Sequence, residues 1–270
     1  MSKVIAVISG KGGVGKTTTT ANVGLGIAMN RRQCVVVDFD IGQRNLDMIL
    51  GLENRVVYDM VQVMDGEAKL EQALIRSKAH SNLHFLPASQ TKDKSVLDSE
   101  KIRQLLDDLR QRFEYVILDA PAGIESGFEH TIEFADEAII VVNPEVSSIR
   151  DSDRAIGILD SKSRKVLEGG EVKKHLIINR IDPEMVERGE MLSHTDILEI
   201  LSIDLLGMVP EDRNVIDASN QGHPIILDEK SEAGQAYRRI AKRLCGEQTS
   251  LVVPQVRKKG LVGKLKGLFG

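Results

Sequence analysis

Four glycines, a lysine and a threonine near the start of the chain have the types and spacing that hold phosphate. The segment Gly10-Lys11-Gly12-Gly13-Val14-Gly15-Lys16-Thr17 fits G-x-x-x-x-G-K-[ST]. Glycines let successive backbone N–H groups curl around phosphate oxygens. The helix expected to begin near Lys16 adds the positive end of its dipole. Lys16 is expected to reach the β- and γ-phosphates of ATP, and the Thr17 hydroxyl to ligate Mg2+. Thr18, next in the chain, joins the nucleotide-contacting set. Gly10, Gly12 and Gly15 also satisfy G-x-G-x-x-G, and Asp38 stands where a dinucleotide fold wants an acid. Lys16-Thr17 decides against that reading, because a dinucleotide fold has no use for a lysine and a hydroxyl there.

Two acidic stretches complete a candidate hydrolytic site. Asp38-Phe39-Asp40 follows one apolar run, and Asp119-Ala120-Pro121-Ala122-Gly123 follows another. Asp119, after Tyr-Val-Ile-Leu, reads as a carboxylate that holds Mg2+ through water. Asp40 is expected to orient or polarise the attacking water and to belong, with Thr17 and Asp119, to the metal site. Asp38 is expected to support rather than touch the nucleotide. Gly123 would permit a switch movement when the γ-phosphate leaves. A lone Asp at a strand end is more often a turn former; the glycine loop is what tips these toward function.

The elements that must position these groups are legible. Val4–Ile8, Val35–Phe39, Leu83–Leu86, Tyr115–Leu118, Ala138–Val142, Leu176–Ile178 and Leu205–Val209 read as strands. Their near-continuous apolar character is that of parallel strands buried on both faces. Helices are expected at Lys16–Met29, Ser99–Arg112, Ser147–Lys165, Ser193–Leu201 and Ala233–Leu244. The alternation predicts an α/β fold with a doubly wound, mostly parallel sheet and helices on both faces. In such a sheet ligands bind beyond the strand carboxyl ends, where the loop and both acidic stretches fall.

With 270 residues, 41% apolar and 28% charged, the chain can bury one large core. Aromatics make up 3% and Trp is absent, against a base-stacking surface. Cys34 and Cys245 have no metal or redox spacing and read as inert thiols. No apolar run approaches the ~20 residues of a spanning helix. The formal charge is −4, from 36 basic and 40 acidic residues. Arg257, Lys258, Lys259, Lys264 and Lys266 lie in the last fourteen positions, which hold no acid. Without those five, 31 basic residues face 40 acidic ones, a balance of −9. An acidic body with a basic tail points the tail at an anionic partner.

At 100° per residue, Leu261, Val262, Leu265, Leu268 and Phe269 fall within about 120° of one another. Lys259 and Lys266 flank one edge and Lys264 the other, a pattern suited to an interfacial membrane helix. Gly263, Gly267 and Gly270 each cost about 1 kcal/mol in a helix, so folding is expected only on a surface. The domain reading is therefore an ATPase domain over 1–246, a tether over 247–256 and an amphipathic membrane-targeting tail over 257–270.

Lys11 inside K-G-G-V-G-K-T resembles the deviant phosphate loop of the ParA/MinD family of P-loop ATPases. The resemblance implies that Lys11 reaches across an ATP-sandwiched homodimer and supports hydrolysis of ATP to ADP and phosphate. It also implies that Asn179 recognises adenine, with Arg180 and Pro210 beside the base. The nitrogenase iron-protein branch requires bridging cysteines that Cys34 and Cys245 do not match. An acidic body disfavours DNA and the DNA-partitioning branch. Asp38–Gly42, Arg44–Asp47, Arg55–Asp59, Leu86–Thr91, Asn143–Ser148, Asp151–Arg154 and Ala218–Gly222 are similar to the family's septum-placing branch. That branch implies a regulator of division-septum placement that is cytoplasmic and attaches peripherally to the anionic inner membrane when ATP is bound. It implies recruitment of a division inhibitor, MinC, with Glu145–Arg154 as the partner surface, and release by a topological regulator, MinE. Gly127–His130 and Thr249–Val256 depart from the branch's pattern.

Overall fold

The computed structural model describes residues 2–124 and 127–256; the expected membrane set from Lys258 to Phe269 lies outside the described residues. Eight strands form one sheet: β1 (Lys3–Ile8), β2 (Cys34–Asp38), β3 (Ile75–Arg76), β4 (Leu83–Leu86), β5 (Tyr115–Asp119), β6 (Glu137–Val142), β7 (Lys173–Ile181) and β8 (Asp204–Pro210). Their order is β3-β4-β2-β5-β1-β6-β7-β8. Every pairing is parallel except β3 with β4, which is antiparallel. The seven expected strands are present; β3, with two residues, is too short to leave a pattern.

Among the described residues, six helices have seven residues or more: α1 (Lys16–Met29), α2 (Ser99–Arg110), α3 (Val146–Lys162), α4 (His194–Leu201), α5 (Asn214–Asn220) and α6 (Glu232–Leu244). The helix expected to run to Lys165 stops at Lys162 because Ser163 is extended, at ψ 139°, and Arg164–Leu167 forms a separate turn. The Ser193 side chain accepts from Asp196 N–H and so caps α4 one residue before the helix proper. The Ser231 hydroxyl likewise accepts from Gly234 N–H at 3.0 Å at the start of α6.

Strand periodicity divides the core. Along β1, Ile5 and Val7 join α1 and α6 residues such as Leu25, Ile27, Tyr237 and Ile240 on one face. Ala6 and Ile8 face the layer containing Ile149, Ile156 and Leu159 of α3. Val4 joins Ile102, Leu106 and Leu109 of α2 in a third cluster on that same side. Each such buried side chain contributes about 1.5–3 kcal/mol, and the sheet must be apolar on both faces to collect it. α1 is rich in threonine and glycine, so burial rather than intrinsic propensity holds it helical.

The chain builds β2 to β5 on one side of β1 and β6 to β8 on the other. The carboxyl end of β1, between β5 and β6, is thus the point where the winding reverses, and ligands of open α/β sheets bind in such a crevice. The loop from Ser9 to Gly15 lies there.

Candidate nucleotide-binding site

The loop depends on two close features of its glycines. Gly15 caps α1 with φ 93° and ψ 25°, a left-handed backbone that a side chain resists. At Gly10 a Cβ would come within 2.0 Å of the Asp151 carbonyl carbon, so the loop lies directly on the backbone of α3. No side chain caps the first N–H groups of α1, and no acid lies in its first turn. Donors left open at a helix start suit an anion. Thr17 and Thr18 sit half-buried in that turn.

Lys16 is buried at the root of the loop. Its Nζ donates to Asp119 Oδ1 at 3.4 Å and to the Ala120 carbonyl. The Thr20 hydroxyl donates to the same Asp119 oxygen at 2.9 Å and also reaches the Lys16 carbonyl at 3.1 Å. Asp38 is fully buried on β2, beside Asp119 in the register of the two strands. It accepts from the backbone N–H groups of Asp40 at 2.9 Å and of Asn45 and Leu46 at 3.3 Å. Burial, and then the Asp119 charge, push the Asp38 carboxyl up to about 8. Asp38 thus shapes the loop that carries Asp40. Asp40 pairs with Lys94 Nζ at 3.7 Å. Burial raises its pKa, while Lys94 and Lys16 pull the other way.

Lys11 does not point at Lys16's partners. Its Nζ donates to Glu145 Oε2 and Ser147 Oγ, both at 3.2 Å, at the start of α3. Asn179, Arg180 and Pro210 line one recess with Gly15, Thr18 and Tyr237. There the Asn179 amide donates to the Val14 carbonyl at 2.7 Å, tying β7 to the loop. The register of β7 on β8 breaks between Ile178 and Ile181, and Arg180 takes a left-handed φ of 57°. That bulge places Asn179 and Arg180 within the longer β7 rather than after it. The Tyr237 and Thr19 hydroxyls meet at 3.2 Å behind the recess.

The residues present suit a magnesium nucleotide. Asp38, Asp40 and Asp119 gather beside one buried ammonium, that of Lys16. Among the described residues, no three His, Cys, Asp or Glu side chains form a metal cage of their own. Mg2+ needs none: it keeps several waters and takes one or two carboxylates plus substrate phosphates.

A family model described as an AAA domain matches residues 2–161, which hold the loop and both acidic stretches. The septum site-determining protein MinD of Helicobacter pylori is 54% identical over 269 residues, covering 100% of each chain. The chain belongs to the MinD family.

Solved MinD structures repeat its fold. The MinC:MinD cell division protein complex of Aquifex aeolicus contains a chain 45% identical, with a TM-score of 0.86, covering 94% of this chain and 100% of that one. The septum site-determining MinD of Pyrococcus horikoshii, complexed with Mg-ADP, is 27% identical with a TM-score of 0.77, covering 90% and 96%. Sequence reasoning missed Thr20, Lys94 and Tyr237 as parts of this site. Thr20 is one of four consecutive threonines, and the other two lie 54 and 197 residues from Asp40, with no spacing to mark them.

Proposed function

We propose that this chain hydrolyses ATP to control its own attachment to the inner membrane and thereby the placement of the division septum. The observation that carries the reading is the buried Lys16 at the root of a glycine loop, held by Asp119 and Ala120 where a phosphate-bearing ligand would replace those contacts. ATP and Mg2+ are the cofactors. Lys16 turns to the β- and γ-phosphates, and the open N–H groups of α1 hold the same anion. Thr17 and Asp119, with Asp40 beside them, would hold the metal. Bound Mg2+ supplies charge neutralisation on the phosphate oxygens. Asp40 aligns a water whose oxygen bonds to the terminal phosphorus as the bond to the bridging oxygen breaks. Asn179, Arg180 and Pro210 hold the base in their recess.

Lys11 leaves Glu145 and reaches the nucleotide of a second copy, so ATP favours a homodimer. Two tails, 257–270, then engage an anionic bilayer together, and effective concentration turns two weak contacts into one strong attachment. The body is 1–246, with 247–256 leading to the tail. The dimer recruits a MinC-type inhibitor through Glu145–Arg154, supported by the MinC:MinD complex of Aquifex aeolicus. A MinE-type regulator triggers hydrolysis and release.

Sedimentation with anionic vesicles tests the cycle. Wild type pellets with ATP and stays in the supernatant with ADP, and Lys16→Ala stays in the supernatant with either. Equal pelleting with ATP and ADP, or ATP-dependent pelleting by Lys16→Ala, removes the nucleotide switch.

A further inference from the structure

The chain between body and tail is not a slack leash. Arg243, near the end of α6, spreads its guanidinium over three carbonyls: Leu206 on the edge strand β8, Thr249 at 3.0 Å and Ser250 at 2.5 Å. An arginine fork donating to both sides fixes residues 249–250 against β8. Residues 251–255 then lie along a groove walled by Met208 and Pro210 of β8 and by Glu232, Gln235 and Arg239 of α6.

Three consecutive apolar side chains there stay in contact with solvent. Leu251 is 49% exposed, Val252 44% and Val253 39%. Beside them Arg239 makes no hydrogen bond or ion pair with any described residue, and burial lowers its pKa. Its neighbours on α6 are all engaged: Arg238 with Ile226 O and Glu229, Lys242 with Glu247, Arg243 with its three carbonyls. A contiguous apolar strip next to a half-buried cation that pairs with no described carboxylate matches the boundary between acyl chains and anionic headgroups.

Reach brings this strip to the bilayer. From Val253 to residue 257 the chain spans at most about 14 Å even when fully extended. A tail lying in the interface therefore holds Leu251–Val253 within about the depth of two headgroup layers of it. The clamp at residues 249–250 leaves only the short chain to residue 257 as slack, which keeps this edge near the lipid.

We propose that Leu251, Val252 and Val253, with the Arg239 guanidinium, form a second membrane-contact face that lies on an anionic bilayer when the tail is engaged. The body is then held with its β8–α6 edge toward the lipid, and the attachment is a two-part surface rather than a tail alone. This inference rests on the proposed attachment through the tail, and its failure is separable from the failure of that attachment.

The full-length chain has no Trp, so Val252→Trp creates a single emitter. With ATP, Mg2+ and phosphatidylglycerol–phosphatidylcholine vesicles, its emission moves to the blue and at least halves with acyl-brominated lipid. Emission unchanged in protein that pellets with the vesicles overturns the proposal. A blue shift on adding ATP without vesicles overturns it too, by placing the strip against a second copy. Leu251→Ser/Val252→Ser/Val253→Ser is expected to bind vesicles about tenfold more weakly. Arg239→Gln is expected to weaken binding to anionic vesicles, with Arg239→Lys restoring it. Wild-type affinity in both the triple variant and Arg239→Gln refutes the second face even where the chain lacking 257–270 no longer binds. Undiminished binding by that shortened chain refutes attachment through the tail instead.

Discussion

Thr20→Val removes the hydroxyl that holds the Asp119 carboxylate, together with its longer contact to the Lys16 carbonyl. Thr20 is fully buried, and its hydroxyl donates to Asp119 Oδ1 at 2.9 Å. The Asp119 side chain is 1% exposed, so no water can take the place of that donor. Valine keeps the shape and sets a methyl where the hydroxyl was. A hydrogen bond to a charged group is worth about 1.5–3 kcal/mol, and the cost of leaving a buried carboxylate short of a donor belongs to the same range. A loss of about 2–3 kcal/mol is expected in nucleotide-free protein. With a urea slope of about 3 kcal/mol/M for a chain of this size, the midpoint falls by about 0.7–1 M. Thr20→Ser keeps the donor and loses only a methyl, about 1 kcal/mol. Circular dichroism in urea reads all three proteins. A Thr20→Val midpoint within about 0.2 M of wild type refutes the reasoning. So does a Thr20→Ser midpoint equal to that of Thr20→Val, because packing rather than the bond would then be the source.

Two further expectations concern other carboxylates. Asp40→Ala keeps ATP binding by calorimetry and slows turnover by about 100-fold or more, the usual contribution of a group that handles the attacking water; undiminished turnover moves that role elsewhere. Glu137 lies at the opposite end of the sheet, bonded by His175 Nε2 at 2.8 Å and Lys3 Nζ at 2.7 Å. Burial opposes these partners, yet their net effect holds its carboxyl at about 2, below the ordinary 4.5. A depressed carboxyl stabilises the fold above its unfolded pKa and loses that contribution as pH falls through the folded one. Glu137→Gln should therefore flatten the fall of thermal stability between about pH 4.5 and 2; an unchanged slope there refutes the assignment.

How much of this was legible in the residues depended on locality. The loop, α1 and the strand carrying Asp119 come from contiguous patterns, and all stand where the patterns put them. Helix α5, Asn214–Asn220, escaped notice because its only core-packed apolar residues, Val215 and Ala218, are partly buried and too few to make a periodic pattern. Lys94 escaped because it rides on a three-residue turn capped by Asp93, with the Asp93 side chain accepting from Ser95 N–H at 2.8 Å. Nothing periodic marks such a turn. Asn179 was legible only by resemblance. Its bond to Val14 arises because β7 bulges at that point, and a bulge is set by pairing with β8, not by local sequence.

The role proposed for Lys11 requires that a residue committed in one state serve another. Its contact with Glu145 joins side chains 44% and 54% exposed. Exposed ion pairs contribute about 0–1 kcal/mol, so detaching one Lys11 in each copy weakens the proposed ATP dimer by at most about 2 kcal/mol, roughly thirtyfold. The contact is strong enough to keep a flexible lysine beside the loop and too weak to decide whether the dimer forms. Glu145 also ends up at the start of α3, where a negative charge suits the helix dipole without Lys11. Releasing the lysine therefore does not strand the carboxylate. In the proposed cycle the decision to dimerise therefore comes from the phosphate charge brought into the loop. That charge attracts Lys11 from either copy and also draws Lys16 from Asp119.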